Sequence, residues 1–327
     1  MPHHASAFLL ASLLLALSFL TTGSHARVQA QRAVGTPNKD TARAIETYHQ
    51  GDAIKAIDHL QVIVEKRADD ADAWCYLGLA LNSQGLTRSS LPAFEQCVRL
   101  RPDDADVHAK LAFALIFADQ PKKALASAQR ALQLGDLSAE SHYAIAEASL
   151  RTGAATNSAA EADTALTMNP NFTAALITKT LAHTQLKSYP EAAASLELFL
   201  AGSSDDMDAE TWRGQLEELR RLISLESNPG PPIFTGQEVT QTVRILSKQE
   251  PQYSEAARKA GVMGTVVLRA VFSAEGEVNH ILITRALGYG LITRSVRAAR
   301  QIRFTPATKD GKAVSIYLQL EYNFNLF

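Results

Sequence analysis

The sequence predicts an α + (α+β) chain: an all-α solenoid followed by a small αββαβ domain built on a three-stranded antiparallel sheet. Three observations carry this. A 34-residue period runs from Pro37 to Asp206, and helical apolar spacing gives way to alternating spacing after Asn228-Pro229-Gly230-Pro231-Pro232. The charge also reverses, with 20 Lys+Arg against 28 Asp+Glu in residues 1–238 and 12 against 6 in residues 239–327. A length of 327 residues suits two domains at roughly 100–200 residues each. With 46% hydrophobic and 20% charged residues, general disorder and a multi-span membrane protein are both excluded. The basic part is too small and too mixed to imply nucleic acid.

The first element is an export signal, residues 1–26. Phe8 to Leu20 is apolar except for Ser12 and Ser18, and Ser24-His25-Ala26 fits a small-x-small cleavage site. The alternative is an uncleaved anchor, because Ala5–Thr22 is nearly long enough to span a bilayer. Either reading exports the rest of the chain, to the periplasm if cleaved or at the inner membrane if anchored. Membrane contact is expected only if the segment is retained.

Five repeats follow in residues 37–206. The clearest copy reads Trp74-x2-Leu77-Gly78-x2-Leu81, then Ser90-x3-Phe94, Cys97 and Pro102. Steps of 34 carry Leu77 to Leu111 and Ile145, and Ser90 to Ala56, Ala124, Ser158 and Ala192. Small residues at such positions let two helices cross closely, while the larger ones pack one hairpin on the next. Asp69-Asp70-Ala71-Asp72 recurs as Asp103-Asp104-Ala105-Asp106 before a first helix, where carboxylates cap free N–H groups. A calcium loop would need a Gly and a distal Glu that these clusters lack. Residues 207–227 read as a capping helix, with Trp212, Leu216, Leu219, Leu222 and Ile223 on one face and Glu217, Glu218, Arg220 and Arg221 off it. Cys75 and Cys97 fall in one hairpin, Cys75 toward the groove and Cys97 toward the helix crossing, so buried free thiols are expected.

The repeats resemble the tetratricopeptide family, which implies a superhelix with a concave peptide-binding face. By register that resemblance assigns the groove to Leu79, Phe113, Ile116, Phe117, Tyr143, Leu150, Ile177 and Leu181. The stripe is largely apolar, and helical spacing leaves open whether it lines a groove or is buried between helices.

Residues 228–238 form a Pro/Gly linker, and residues 239–327 the second domain. Ser254–Lys259 reads as a short helix, Gly264–Phe272 and Val278–Thr284 as a hairpin, and Ile292, Val296, Ala299 and Ile302 as a helix face. Val314, Ile316, Leu318, Leu320, Tyr322 and Phe324 alternate with polar residues, which predicts one long strand. Arg294, Arg297, Arg300 and Arg303 form a basic stripe, read as a solvated face; the alternative is contact with acidic receptors or headgroups.

Pro251-x-Tyr253, Ala257-Arg258, Gly261-x2-Gly264, Glu275-Gly276 and Arg303-Phe304-x-Pro306-Ala307 occur in order. On these landmarks residues 248–327 resemble the C-terminal domain of TonB, the periplasmic energy transducer of outer-membrane receptors. The resemblance implies that a receptor's N-terminal peptide adds as a strand beside the last strand. The implied contacts are Lys248, Glu250, Gln252, Tyr253, Val314, Ile316, Leu318, Leu320 and Tyr322.

Nothing in the sequence supports catalysis, a metal or a cofactor. The histidines are scattered, with no H-E-x-x-H, no G-x-S-x-G and no P-loop. The expected function is that of a non-enzymatic, exported interaction protein with protein or peptide partners, outer-membrane receptors among them. The alternatives are an anchored energy transducer and an envelope scaffold without a transport role.

Overall fold

Helical hairpins recur along the chain because the same steric requirement recurs every 34 residues. The computed structural model describes residues 38–202 and 206–325; the segment read from sequence as an export signal lies outside them. Residues Ala44 to Phe327 form one compact unit. Along the chain come α1 (Lys39–His49), α2 (Ala53–Lys66), α3 (Ala71–Ser83), α4 (Leu91–Leu100) and α5 (Ala105–Phe117). They are followed by α6 (Pro121–Gln133), α7 (Ala139–Arg151), α8 (Ala155–Met168), α9 (Thr173–Gln185), α10 (Tyr189–Gly202) and α11 (Ala209–Ser227). Among the described residues, no helix is long and apolar enough to cross a membrane.

Ala56, Ser90, Ala124, Ser158 and Ala192 are all fully buried, as the register requires. Cys97, Ala131 and Ala165 are buried in the same way. Gly78 has a specific reason: a Cβ there would lie 2.6 Å from the Phe94 ring that fills the crossing of α3 and α4. The aspartate clusters cap. Asp70 accepts from the Ala73 N–H at 3.0 Å and Asp104 from the Val107 N–H at 3.3 Å, each contributing about 1 kcal/mol. Their neighbours form ion pairs, Asp72 with Arg101 at 2.6 Å and Asp103 with Arg130 at 2.7 Å.

The cysteines differ from expectation. Cys75 and Cys97 form a disulfide that ties α3 to α4, with their Cα atoms 5.1 Å apart. That separation is within the usual range for the bond. By register Cys75 turns toward the groove, but the small residues at this crossing bring the two backbones close enough for its side chain to reach α4.

The C-terminal domain comprises β1 (Arg244–Ser247), α12 (Glu255–Ala260), β2 (Gly264–Phe272), β3 (Val278–Arg285) and α13 (Leu291–Arg300), then β4 (Arg303–Thr305), β5 (Ala307–Lys309), β6 (Lys312–Val314) and β7 (Ile316–Phe324). Its main sheet is antiparallel in the order β3-β2-β7. Val266, Leu268, Ala270 and Phe272 face Tyr322, Leu320, Leu318 and Ile316 in register. They share a core with Leu291, Ile292, Val296 and Ala299 of α13.

Two features depart from the sequence reading. Val314 does not begin the last strand; it ends β6, opposite Ala307 of β5. Asp310 and Gly311 turn that hairpin at φ 52° and 74°, the positive-φ pair that a two-residue hairpin loop requires. In addition, β1 and β4 pair as a separate two-stranded ribbon. The linker is also engaged: the Phe234 N–H donates to the Ser315 carbonyl, and the Tyr317 N–H donates to the Phe234 carbonyl, both at 2.9 Å.

Candidate functional site

The solenoid holds the C-terminal domain through one register position used three times. Phe117, Arg151 and Gln185 end α5, α7 and α9 at intervals of 34 residues. The Phe117 carbonyl accepts the Met263 N–H at 3.4 Å, the Arg151 carbonyl accepts the Arg285 guanidinium at 2.7 Å, and the Gln185 amide donates to the Thr284 carbonyl at 3.0 Å.

Helix α11 completes the seat, so its polar side is not simply the solvated back of a cap. Gln215, 1% exposed, accepts the Ile283 N–H at 2.8 Å and donates to the Ile283 carbonyl at 3.2 Å. Glu218, also buried, is held by Arg221 and meets His280 at 3.2 Å. Before α11, Asp208 accepts N–H bonds from Gly290 at 3.0 Å and Thr293 at 3.1 Å, a carboxylate at the N-terminus of α13. Gln215→Leu would strand the Ile283 N–H and carbonyl without partners, at about 1–3 kcal/mol for each buried group. Urea denaturation of the full chain should register a loss of roughly 2 kcal/mol. An unchanged midpoint would remove Gln215 as a docking residue.

The apolar stripe assigned to a groove is divided by this docking. Ile116, Leu150 and Leu181 are buried, while Leu79, Phe113, Phe117, Tyr143 and Ile177 are half-buried. Ile116, Phe117, Tyr143, Ile177 and Leu181 line a cavity of about 280 Å³ whose opposite wall is the chain's own Met263, Leu287 and Tyr289. Phe113, Phe117 and Tyr143 form an aromatic cluster, with Phe113 5.3 Å from Phe117 and 6.1 Å from Tyr143, and Phe117 meets Tyr289 edge-on at 6.5 Å. A buried ion pair sits in this wall: Arg151 Nε lies 2.8 Å from Glu147 Oε1, and the Thr178 hydroxyl donates to Glu147 Oε2 at 2.8 Å. Burial works against the Arg151 charge, but Glu147 offsets it and raises the pKa. Burial, reinforced by Glu147, pushes the Tyr143 phenol far above its usual range.

The two edges of the main sheet have opposite fates. On β3 the Gln215 and Gln185 amides occupy the Ile283 N–H and carbonyl and the Thr284 carbonyl, near the end of the strand. Among the described residues, β7 is paired by main chain only at its start, where Phe234 lies beside Ile316. Since the Tyr317 N–H points outward to Phe234, strand alternation turns the main-chain groups of Gln319, Glu321 and Asn323 outward as well. Among the described residues, no strand pairs with β7 on that side beyond Tyr317. The Lys248 ammonium donates to the Glu321 carbonyl at 3.0 Å and lies 4.6 Å from the centre of the Tyr322 ring.

The carried-over contact residues therefore separate into groups. Ile316, Leu320 and Tyr322 are buried in the domain, Leu318 is half-buried, and Val314 belongs to β6, so these side chains do not form an outward recognition row. Burial, with Glu250 second, pushes the Tyr322 phenol up to about 12. Lys248 stands over the edge and pairs with Glu250 at 3.3 Å. The Tyr253 hydroxyl donates to the Val262 carbonyl at 3.0 Å, and its ring meets Phe324 edge-on at 5.3 Å; Gln252 is exposed. The outward residues Gln319, Glu321 and Asn323 are absent from that set, although their place as the polar half of the alternation is the available signal.

Residues 249–326 match the family model described as "Gram-negative bacterial TonB protein C-terminal". No curated protein matches the chain. Among solved structures, the chain is similar to MamA at 19% identity and TM-score 0.43, with 49% of this chain and 94% of that one covered. It is similar to YrrB, described as a TPR protein with an unusual peptide-binding site, at 17% identity and TM-score 0.46, covering 57% and 97%. It is likewise similar to PilW, described as a widely conserved type IV pilus biogenesis factor, at 14% identity and TM-score 0.46, covering 60% and 94%. The chain thus joins a solenoid of tetratricopeptide-type helical hairpins to a C-terminal domain that matches the TonB C-terminal family.

Proposed function

We propose that this chain is a non-enzymatic adaptor of the bacterial envelope that captures an extended segment of a partner protein as a fourth strand along β7. The observation that carries the reading is the outward row of main-chain groups at Gln319, Glu321 and Asn323, while the opposite edge is held to the solenoid by glutamine side chains at Ile283 and Thr284. An unpaired edge of this kind supplies affinity through main-chain hydrogen bonds and selectivity through alternate side chains. The family match supports outer-membrane receptors as the source of that segment. The role of the solenoid is to hold the domain with β7 facing away from the α11 seat; a partner for the apolar stripe would have to share it with Tyr289 and Met263. Export through residues 1–26 to the periplasm is consistent with the Cys75–Cys97 disulfide, which persists in an oxidising compartment.

The test is hydrogen exchange on the full chain, with synthetic peptides covering the N-terminal segments of outer-membrane receptors from the same cell. Strand addition should slow exchange at the Gln319, Glu321 and Asn323 amides. Peptide binding that leaves those three amides unchanged, or no binding by any segment, would overturn the reading.

A further inference from the structure

The sheet face beside the β7 edge borders a cleft whose cations have no acidic partner among the described residues. Odd-numbered residues of β2 and β7, among them Arg269, Gln319 and Glu321, turn toward the solenoid and form one wall. The opposite wall is the turn region of two repeats, with Gly153 and Lys187 at the same register position, and Arg285 closes the inner end. The cleft holds about 460 Å³.

Its charges are unbalanced. Arg269 is half-buried; it donates to the Tyr189 hydroxyl at 3.2 Å, and its guanidinium carbon lies 5.3 Å from the centre of the Tyr317 ring. Arg285, also half-buried, donates to the Arg151 carbonyl at 2.7 Å. Both contacts are to neutral oxygens. Among the described residues, no carboxylate comes within ion-pair distance of Arg269, Arg285 or Lys187. Among the described residues, the one acid in the lining is Glu321, which accepts a hydrogen bond from the Gln319 amide at 2.8 Å. Half-burying guanidinium groups without a counter-charge is unfavourable, and the planar N–H fork matches a carboxylate.

We propose that this cleft receives acidic side chains of the strand that adds to β7, so that the partner is an extended peptide with carboxylates at alternate positions. The inference rests on the strand-addition reading. A fourth strand sends every second side chain to the face it shares with Gln319 and Glu321, and that face borders the cleft. Recognition is then composite. β7 supplies the main-chain ladder, Arg269 on the adjoining strand the half-buried cation within reach, with Arg285 deeper in the cleft adding to its positive field, and the solenoid turn at Lys187 the outer cation. Neither module alone contains the site.

The test uses two synthetic octapeptides on the full chain, one alternating glutamate with valine and the other alternating glutamine with valine. The glutamate peptide should bind roughly tenfold tighter at low salt, an advantage that shrinks as salt rises. Arg269→Gln should remove most of that advantage. Lys187→Asn should remove part of it, and it suits the left-handed backbone there, φ 61°. Arg269→Lys should restore it partly. Equal binding of the two peptides, both weakened by Gln319→Pro, would overturn the acidic cleft while leaving strand addition standing. If neither octapeptide binds but a receptor segment slows the β7 amides, the acidic class is wrong; if nothing slows them, the strand reading fails as well.

Discussion

Gln319→Pro should weaken capture of a receptor-derived peptide by roughly two orders of magnitude, whereas Gln319→Ala should change it by less than about threefold. The contrast follows from which way the Gln319 N–H points. It lies on the side of β7 that Tyr317 uses toward Phe234, away from β2, so proline removes a donor offered outward and spares the ladder of the domain itself. The added ring also obstructs an approaching strand. Alanine keeps the N–H and loses only the side-chain contact with Glu321. Circular dichroism and an unchanged β2–β7 exchange pattern establish that the proline variant is folded, and calorimetric titration then reads the affinity. A folded variant that captured the peptide as well as the parent would exclude strand addition at this edge and move the search to the exposed arginines of α13.

Loss of the Cys75–Cys97 bond should cost the repeat region about 3 kcal/mol, the usual magnitude for a loop of this order. The sequence separation is 22 residues, and both side chains are buried at the α3–α4 crossing beside Phe94. Cys75→Ala combined with Cys97→Ala, and the parent in reductant, should therefore unfold at similarly lowered urea concentrations when helical dichroism is followed. Coincident curves for oxidised and reduced parent would show that the bond contributes nothing to stability. The effect should concentrate in the second hairpin and its neighbours, because solenoid stability is set between adjacent repeats.

Much of the fold is legible because its causes are local. The requirement for a small residue at each crossing recurs through Ala56, Ser90, Ala124, Ser158 and Ala192, so the hairpin period is visible in composition alone. Strand β2 has the bounds read from its β-branched run, Gly264 to Phe272. Most of the features that escape depend on distant partners. Gln215 lies on the polar side of a helix, and nothing local distinguishes a solvated amide from one bonded to the edge of β3. The stripe through Phe117 and Tyr143 stands out by register, yet its facing wall comes from Met263 and Tyr289, more than a hundred residues away. The Asp310-Gly311 turn is a local signal masked by the long alternation that follows it. For the proposed binding edge, the alternation identifies the strand but favours its apolar half, whereas the outward main-chain groups belong to Gln319, Glu321 and Asn323.

The threefold seat at Phe117, Arg151 and Gln185 has a mechanical consequence. A solenoid held only between neighbours yields to a pull one hairpin at a time, like a stack unwound from its end. Here the C-terminal domain spans three successive hairpins and is bound again to α11 through Gln215. Tension applied along a strand on β7 passes through β2 to β3 and then divides among these attachments. The bonds share the load instead of parting in turn, so the domain acts as a brace across the coil. On the proposed reading, a tug on a peptide held at β7 is transmitted to the three hairpins from α5 to α10 and to α11 before any one of those helices peels away.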